Sequence, residues 1–295
     1  MPLYPTKVRF ISYFEQLIIV KEKISITINQ KILRDIDSTI DNINIQNRSQ
    51  AIETLVEKAL TENKVAVILA GKSENSKYGV PARYALKISH MTIIEKAVKK
   101  LGDSGFKTIY ILANKETLTT IFKIIGDGST FNSKIEYADE ENCDGTAATL
   151  KWLKGKVKST FLVAWCDIIF DNVNLASLWK QHLNEKTIAT LLVNSSLLSK
   201  KQGLCGQVQL EGNKITSYIE KPPPAKCQSS IFFGGIFVAE PELLSFDGKS
   251  LEHDVFPELA KRRLLGGQLS SAEYLHVHSR EDLNRVKSKL SGRFD

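Results

Sequence analysis

Residues 65–71 read VAVILAG, an apolar run closed by a glycine, followed by Lys72, Ser73, Glu74, Asn75, Ser76 and Lys77. An apolar strand that ends on a glycine is how a nucleotide-binding α/β fold opens. The bare backbone lets amides approach a phosphate that side chains would otherwise hold away. Leu69, Ala70 and Gly71 keep that opening, and Lys72 and Lys77 bring positive charge to a loop that otherwise lacks glycine. A second apolar run, 161–166, stops at Asp167, a carboxylate that either takes a hard divalent cation or caps a turn. Gly234 and Gly235 either let a ligand come close to the backbone or mark a bulge. His276 and His278 lie two residues apart, so on a strand they share a face; Asp167 with His276 could hold Mn²⁺ or Zn²⁺.

These groups need a scaffold. With 42% hydrophobic and 25% charged residues and no low-complexity run, the composition is that of an ordinary folded, soluble protein. No apolar stretch reaches the ~18 residues of a membrane span, and the first residues lack a small-residue cleavage site. Cys143, Cys166, Cys205 and Cys227 show no CxxC spacing, so reduced thiols and a cytoplasmic location are expected. The net charge is +7, yet the first 63 residues carry eight basic and eight acidic residues, so the whole excess lies beyond them. A basic surface there suits phosphorylated ligands or nucleic acid, or is a solvated lysine-rich face.

The front of the chain divides into an extension, 1–22, and a short unit, 23–62. Ile24, Ile26 and Ile28 alternate with Ser25, Thr27 and Asn29, the period of a one-sided strand. Ile32, Leu33, Ile36 and Ile40 follow at helical spacing. Asn47 and Gln50 then form a capping-box pattern before a second helix with Ala51, Ile52, Leu55, Val56 and Leu60 on one face. So short a unit cannot bury its isoleucines alone and calls for a second chain. The pattern, including NRSQAI, resembles the ribbon-helix-helix family of DNA-binding dimers. The resemblance implies a two-stranded ribbon in the major groove, with Lys23, Ser25 and Thr27 facing the bases. It also implies that the helix start at Asn47, Arg48 and Ser49 grips a DNA phosphate. The alternative is a dimerisation arm alone.

Beyond residue 64, strand runs at 65–70, 108–113, 161–166 and 189–194 alternate with helical patterns at 92–101 and 175–183. Later, GQVQLEGNKITSYIEK places Gly212-Asn213 at a hairpin turn. The fold class expected is α/β: a Rossmann-like, doubly wound mixed sheet over 64–295, with an inserted antiparallel layer, preceded by the small ribbon-helix-helix domain. The ordered segments VAVILAG, DGTAATL, FLVAWCDIIFDNVNLASL, YIEKP, GGIFV, LEHDVFPELA and YLHVHSREDL resemble the sugar-phosphate nucleotidyltransferases over roughly residues 64–290.

That resemblance implies transfer of a nucleotidyl group from a nucleoside triphosphate to a sugar 1-phosphate, with Mg²⁺ or Mn²⁺ as cofactor. It makes Asp167 the metal carboxylate and aligns His276 with the second one. Lys221 falls on the lysine that contacts the sugar phosphate, with Glu220 beside it, and Arg83 on a conserved-charge lysine position. Gly145 and Thr146 fall on the loop under the base, and Gly234 and Gly235 on the sugar side. Each also has a plain structural reading: a solvated strand end for Glu220-Lys221, and helix-start chemistry for Gly145-Thr146, with Asp144 as a cap. Lys72 and Glu74 stand where the family has glycines, and Ser76 where it has an arginine, which has a planar fork that lysine lacks. The expected function is therefore a transcriptional regulator, a homodimer or higher oligomer, whose large domain senses a sugar phosphate or sugar nucleotide. The alternative is an active sugar-1-phosphate nucleotidyltransferase with an altered phosphate loop.

Overall fold

The computed structural model describes residues 23–61, 64–71, 83–140, 144–195, 205–223, 229–272 and 275–276. The expectations for residues 1–22, Lys72, Lys77 and His278 lie outside the described residues, as does the side chain of His276.

Thirteen strands follow in chain order: β1 (Lys64–Gly71), β2 (Lys87–Ile88), β3 (Met91–Thr92), β4 (Phe106–Ala113), β5 (Lys134–Asp139), β6 (Phe161–Trp165), β7 (Ile168–Ile169), β8 (Ala189–Asn194), β9 (Gln207–Glu211), β10 (Lys214–Ile219), β11 (Ile231–Ala239), β12 (Leu265–Leu269) and β13 (Leu275–His276). Nine of them form one sheet in the order β5-β4-β1-β6-β11-β8-β12-β10-β9. The β5-β4-β1-β6 half is parallel. The antiparallel strands inserted into the parallel core complete one mixed sheet: β11 runs antiparallel between β6 and β8 and extends it. β9 pairs both with β10 and with the start of β11, so this end of the sheet curls back on itself.

β1 shows why the apolar runs lack alternation. Ala66 and Ile68 pack on one face with Ile94, Ala97, Val98 and Leu101 of the helix Ile93–Asp103. Val67 and Leu69 join the opposite core with Leu150, Phe237 and Phe256. A strand covered on both faces has no polar side to show. The helix Ile93–Asp103 starts at a full capping box, with Thr92 Oγ1 accepting from Glu95 N and Glu95 Oε2 accepting from Thr92 N. The Gly212-Asn213 turn joins β9 to β10 with Gly212 at φ +59, the glycine-first pattern of a tight hairpin.

In the front unit, helices form at Gln30–Asp37 and Arg48–Thr61. Asn47 Oδ1 accepts from Gln50 N, but Gln50 Oε1 reaches back to Gln46 N, one residue earlier than a capping box requires. Residues 23–29 lie in no ladder, leaving Ile24 and Ile26 71% and 54% exposed. A lone strand has no partner for its amides, so the sequence period alone does not produce a strand within one chain.

Between these helices, Asp41 Oδ1 accepts from the amides of Ile43, Asn44 and Ile45 at 2.8–2.9 Å. The Ile45 and Ile43 amides lead in holding its carboxyl down, from the ordinary 3.8 to about 2. A depressed carboxylate stabilises the fold above the ordinary value and loses that contribution as pH falls through the folded value. An NMR titration of the Asp41 carboxyl carbon is expected to show a midpoint near 2. A midpoint at the ordinary 3.8 contradicts this turn.

Candidate functional site

At the carboxyl end of the parallel strands, chain order reverses between β1, which leads to β4 on one side, and β6 on the other. Ligands of α/β sheets bind at such a switch point. Gly71, at φ +61, ends β1, and Asp167 follows the end of β6. A cavity of about 230 Å³ opens there, lined by Arg83, Asp167, Glu220, Lys221 and Gly235, five residues expected from the sequence.

Each is held by its element. Arg83 opens a short 3₁₀ turn, and its Nη1 lies 3.4 Å from Asp167 Oδ2. The Asp167 carboxylate is only 14% exposed, so it faces the cavity rather than bulk water. Glu220 leaves β10 between two partners: the Tyr218 hydroxyl donates to Oε2 at 2.8 Å, and Lys221 Nζ stands 3.6 Å from Oε1. Burial and the neighbouring Glu220 push the Tyr218 phenol well up, so it stays a donor. Lys221 has φ +42, a conformation costing a non-glycine residue roughly 1–3 kcal/mol. Its side chain is 61% exposed, leaving the ammonium reachable by an incoming anion.

Gly234 and Gly235 fall at a break in the ladder. The pairing of β11 with β8 slips between Phe233 and Phe237, so the glycines form a bulge. Gly235, at φ +73, also lines the cavity. Leu69 and Ala70 do not line it; they support it from behind, the Leu69 carbonyl accepting from Cys166 N at 3.1 Å and the Ala70 carbonyl from Cys166 Sγ at 3.6 Å. Burial raises the Cys166 thiol far above its ordinary range, so it packs as a neutral group.

Gly145 and Thr146 lie one contact away from the cavity. Thr146 Oγ1 donates to Glu252 Oε2 at 2.6 Å and accepts from Leu251 N at 2.8 Å. The amides of Ala147 and Ala148, which start the helix Thr146–Leu150, both bond to the carbonyl of Lys249. Gly145 is required here: its φ is +115, and a Cβ would meet Lys249 O at 2.4 Å. Gly145→Ala is expected to cost roughly 1–3 kcal/mol from the backbone conformation alone, with the clash adding to it. A lower urea midpoint checks this; an unchanged midpoint contradicts the close approach.

The sequence reading missed Trp165, Phe233, Cys205, Gly206 and Glu252, which complete the wall. Trp165 lies two residues before Asp167, and Phe233 directly precedes Gly234, so proximity to expected site residues was their signal. The two rings meet edge-on with centroids 5.3 Å apart. Gly206 is where Tyr218 and Glu220 crowd in, since a Cβ there would lie 2.1 Å from the Tyr218 hydroxyl.

The donor set admits a hard cation in one mode. Asp167 supplies a single carboxylate, and among the described residues no group of three or more His, Cys, Asp or Glu could hold a metal ion. Mg²⁺ suits such a place, because it keeps waters and takes substrate phosphates besides one or two carboxylates. The backbone of His276 pairs with Ile168, next to Asp167 in the chain. Among the described residues no helix is long and apolar enough to cross a membrane.

Solved structures share this fold. A protein assigned as a glucose-1-phosphate thymidylyltransferase from Bacillus anthracis superposes with a TM-score of 0.67 at 20% identity, covering 77% of this chain and 94% of the other. HddC from Yersinia pseudotuberculosis gives 0.63 at 18% identity, covering 77% and 99%. A UDP-glucose pyrophosphorylase complexed with UDP-glucose gives 0.63 at 13% identity, covering 78% and 99%. In sequence, a UTP–glucose-1-phosphate uridylyltransferase from Synechocystis is 24% identical over 219 residues, 66% of this chain. The chain spans about half the length of that relative, 55%. Residues 82–262, which contain Arg83, Asp167, Glu220, Lys221 and Glu252, match the Nucleotidyl transferase family over more than half of the sequence, and the chain belongs to that family.

Proposed function

We propose that the chain is a sugar-1-phosphate nucleotidyltransferase. The observation that carries this reading is the convergence of Arg83, Asp167, Glu220 and Lys221 on one cavity at the switch point of the sheet. A phosphate oxygen of the sugar 1-phosphate bonds to the α-phosphorus of a nucleoside triphosphate, and the bond from that phosphorus to pyrophosphate breaks. No covalent enzyme intermediate is needed, so the protein's task is to align two anions and spread their charge. Lys221 neutralises the sugar phosphate, and Glu220, braced by Tyr218, orients the sugar. Arg83 faces the triphosphate, and Lys77 or Lys72 takes the place of the missing arginine of the phosphate loop. Asp167 would hold Mg²⁺ or Mn²⁺, which supplies charge neutralisation at the phosphate oxygens when bound.

Pyrophosphate release tests this, measured across nucleoside triphosphates and sugar 1-phosphates with Mg²⁺ and then Mn²⁺. Release that requires both substrates supports transfer; binding of a sugar nucleotide with no release from any pair contradicts it.

One observation favours a second role beside the first. Six of the ten large exposed apolar side chains among the described residues fall at Ile24, Ile26, Ile32, Ile43, Leu55 and Val56. In this reading residues 23–62 form a ribbon-helix-helix unit that pairs with a second copy and places the exposed Lys23, Ser25 and Thr27 on DNA. Arg48 is bound to Asp37 through two contacts of 2.6 and 2.7 Å and serves the helix pair first. A regulator of this kind needs sugar-nucleotide affinities that differ between its DNA-bound and free states. DNA association that weakens steeply with salt supports the role, and no association defeats it.

A further inference from the structure

Glu252 is the charged group of the cavity that neither the sequence reading nor the proposed transfer uses. It sits in the wide turn Leu251–Val255, half-buried, and both of its hydrogen bonds fall on the same oxygen. Thr146 Oγ1 donates to Oε2 at 2.6 Å and Ser250 Oγ to Oε2 at 2.8 Å. Among the described residues Oε1 takes no hydrogen bond, although the residue lines the same cavity as Glu220 and Lys221. A carboxylate pinned through one oxygen presents the other in a fixed place, where a hydroxyl entering the cavity can donate to it.

We propose that Glu252 Oε1 is a specificity-determining acceptor for a hydroxyl of the sugar ring. The reading rests on the cavity being the sugar-phosphate site. Lys221 and Glu252 then divide the ligand between them: the cation takes the phosphate and the carboxylate takes a ring hydroxyl. Through Thr146, the same carboxylate ties the sugar side to the Gly145-Thr146 loop. A ribose hydroxyl has the same chemistry, so the test must separate the sugar from the nucleotide.

Glu252→Gln makes that separation. The amide oxygen can keep the Thr146 and Ser250 protons, while the amide nitrogen replaces Oε1, turning an acceptor into a donor without changing shape. Titration calorimetry on the full chain uses the 1-phosphates of α-D-glucose, α-D-mannose and α-D-galactose, with inorganic phosphate and UTP beside them. In E252Q, affinity for the best-bound sugar 1-phosphate is expected to fall about 10- to 100-fold. Affinities for inorganic phosphate and UTP should stay within about twofold, and the thermal midpoint should not move. Deoxy analogues of that sugar phosphate add a control that folding cannot mimic: the one lacking the bound hydroxyl loses affinity in the wild type and nothing further in E252Q.

If UTP affinity falls as far as that of the sugar phosphate, Glu252 serves the nucleotide loop or the ribose and the proposal is overturned. If the sugar phosphates bind E252Q as they bind the wild type, the assignment of Glu252 alone fails. If the wild-type chain binds no sugar 1-phosphate, the reading of the cavity fails with it.

Discussion

Asp167→Asn is expected to lower pyrophosphate release on the order of 10³-fold while leaving the fold intact. The change is isosteric, so the side chain keeps its volume beside Arg83, whose Nη1 lies 3.4 Å from Asp167 Oδ2. What it removes is the single negative oxygen ligand at the end of β6 from which a cation could be positioned against the α-phosphate. Sugar 1-phosphate binding through Lys221 should persist, because that ammonium lies on the β10 side of the cavity and is paired with Glu220. The expected pattern is thus a collapse in kcat with little change in the affinity for sugar 1-phosphate. Steady-state pyrophosphate assays, with calorimetry on the same protein, check both halves. A variant that turns over at the wild-type rate removes Asp167 from the chemistry.

Phe256→Ala carries the second large effect, on stability. Phe256 is fully buried, and its ring meets Tyr218, Phe233 and Phe237 edge-on at centroid distances of 5.3, 5.5 and 5.3 Å. Truncating such a phenylalanine costs about 3–5 kcal/mol, because the transfer energy is lost and the neighbours cannot close over the gap. Tyr218 braces Glu220, and Phe233 walls the cavity, so the damage reaches the site. Phe256 also follows directly on the turn that carries Glu252. Equilibrium urea unfolding should show a lower midpoint, and sugar-phosphate affinity should fall with it. A loss under about 1 kcal/mol contradicts this packing, being less than the ring contacts alone contribute.

The parts of the fold legible in the sequence are those set by local rules. The run at 189–194 became β8 with the same ends, and the helix at 175–183 likewise, because Asn174 caps its start by accepting from Ser177 N. Of the candidate site residues, Asp167, Glu220 and Lys221 carry charge at strand ends and Arg83 opens a 3₁₀ turn, and the four line one cavity although they come from three separate stretches of chain. Groups that act through a neighbour were not legible. Glu252 sits in the cavity because the turn Leu251–Val255 bonds to Thr146, about a hundred residues earlier, and nothing in either stretch encodes that pairing. How the inserted antiparallel strands join the sheet was not legible for a related reason. Hairpin chemistry at Gly212-Asn213 fixes how β9 meets β10, but not that β11 joins them to β6. The front unit marks a third limit, since the period at Ile24–Ile28 specifies a face and a strand still needs a partner.

In the proposed reaction the cavity joins two substrates rather than holding one. Phosphorus NMR of the full chain with Mg²⁺ and the nucleoside triphosphate and sugar 1-phosphate that release pyrophosphate fastest tests it in one tube. The triphosphate and sugar phosphate signals should decline together while pyrophosphate and the paired resonances of a nucleoside diphosphate sugar grow in equal amounts, and Asp167→Asn should stop this growth. Reactant signals that broaden on binding but never convert, in the wild-type chain, contradict it.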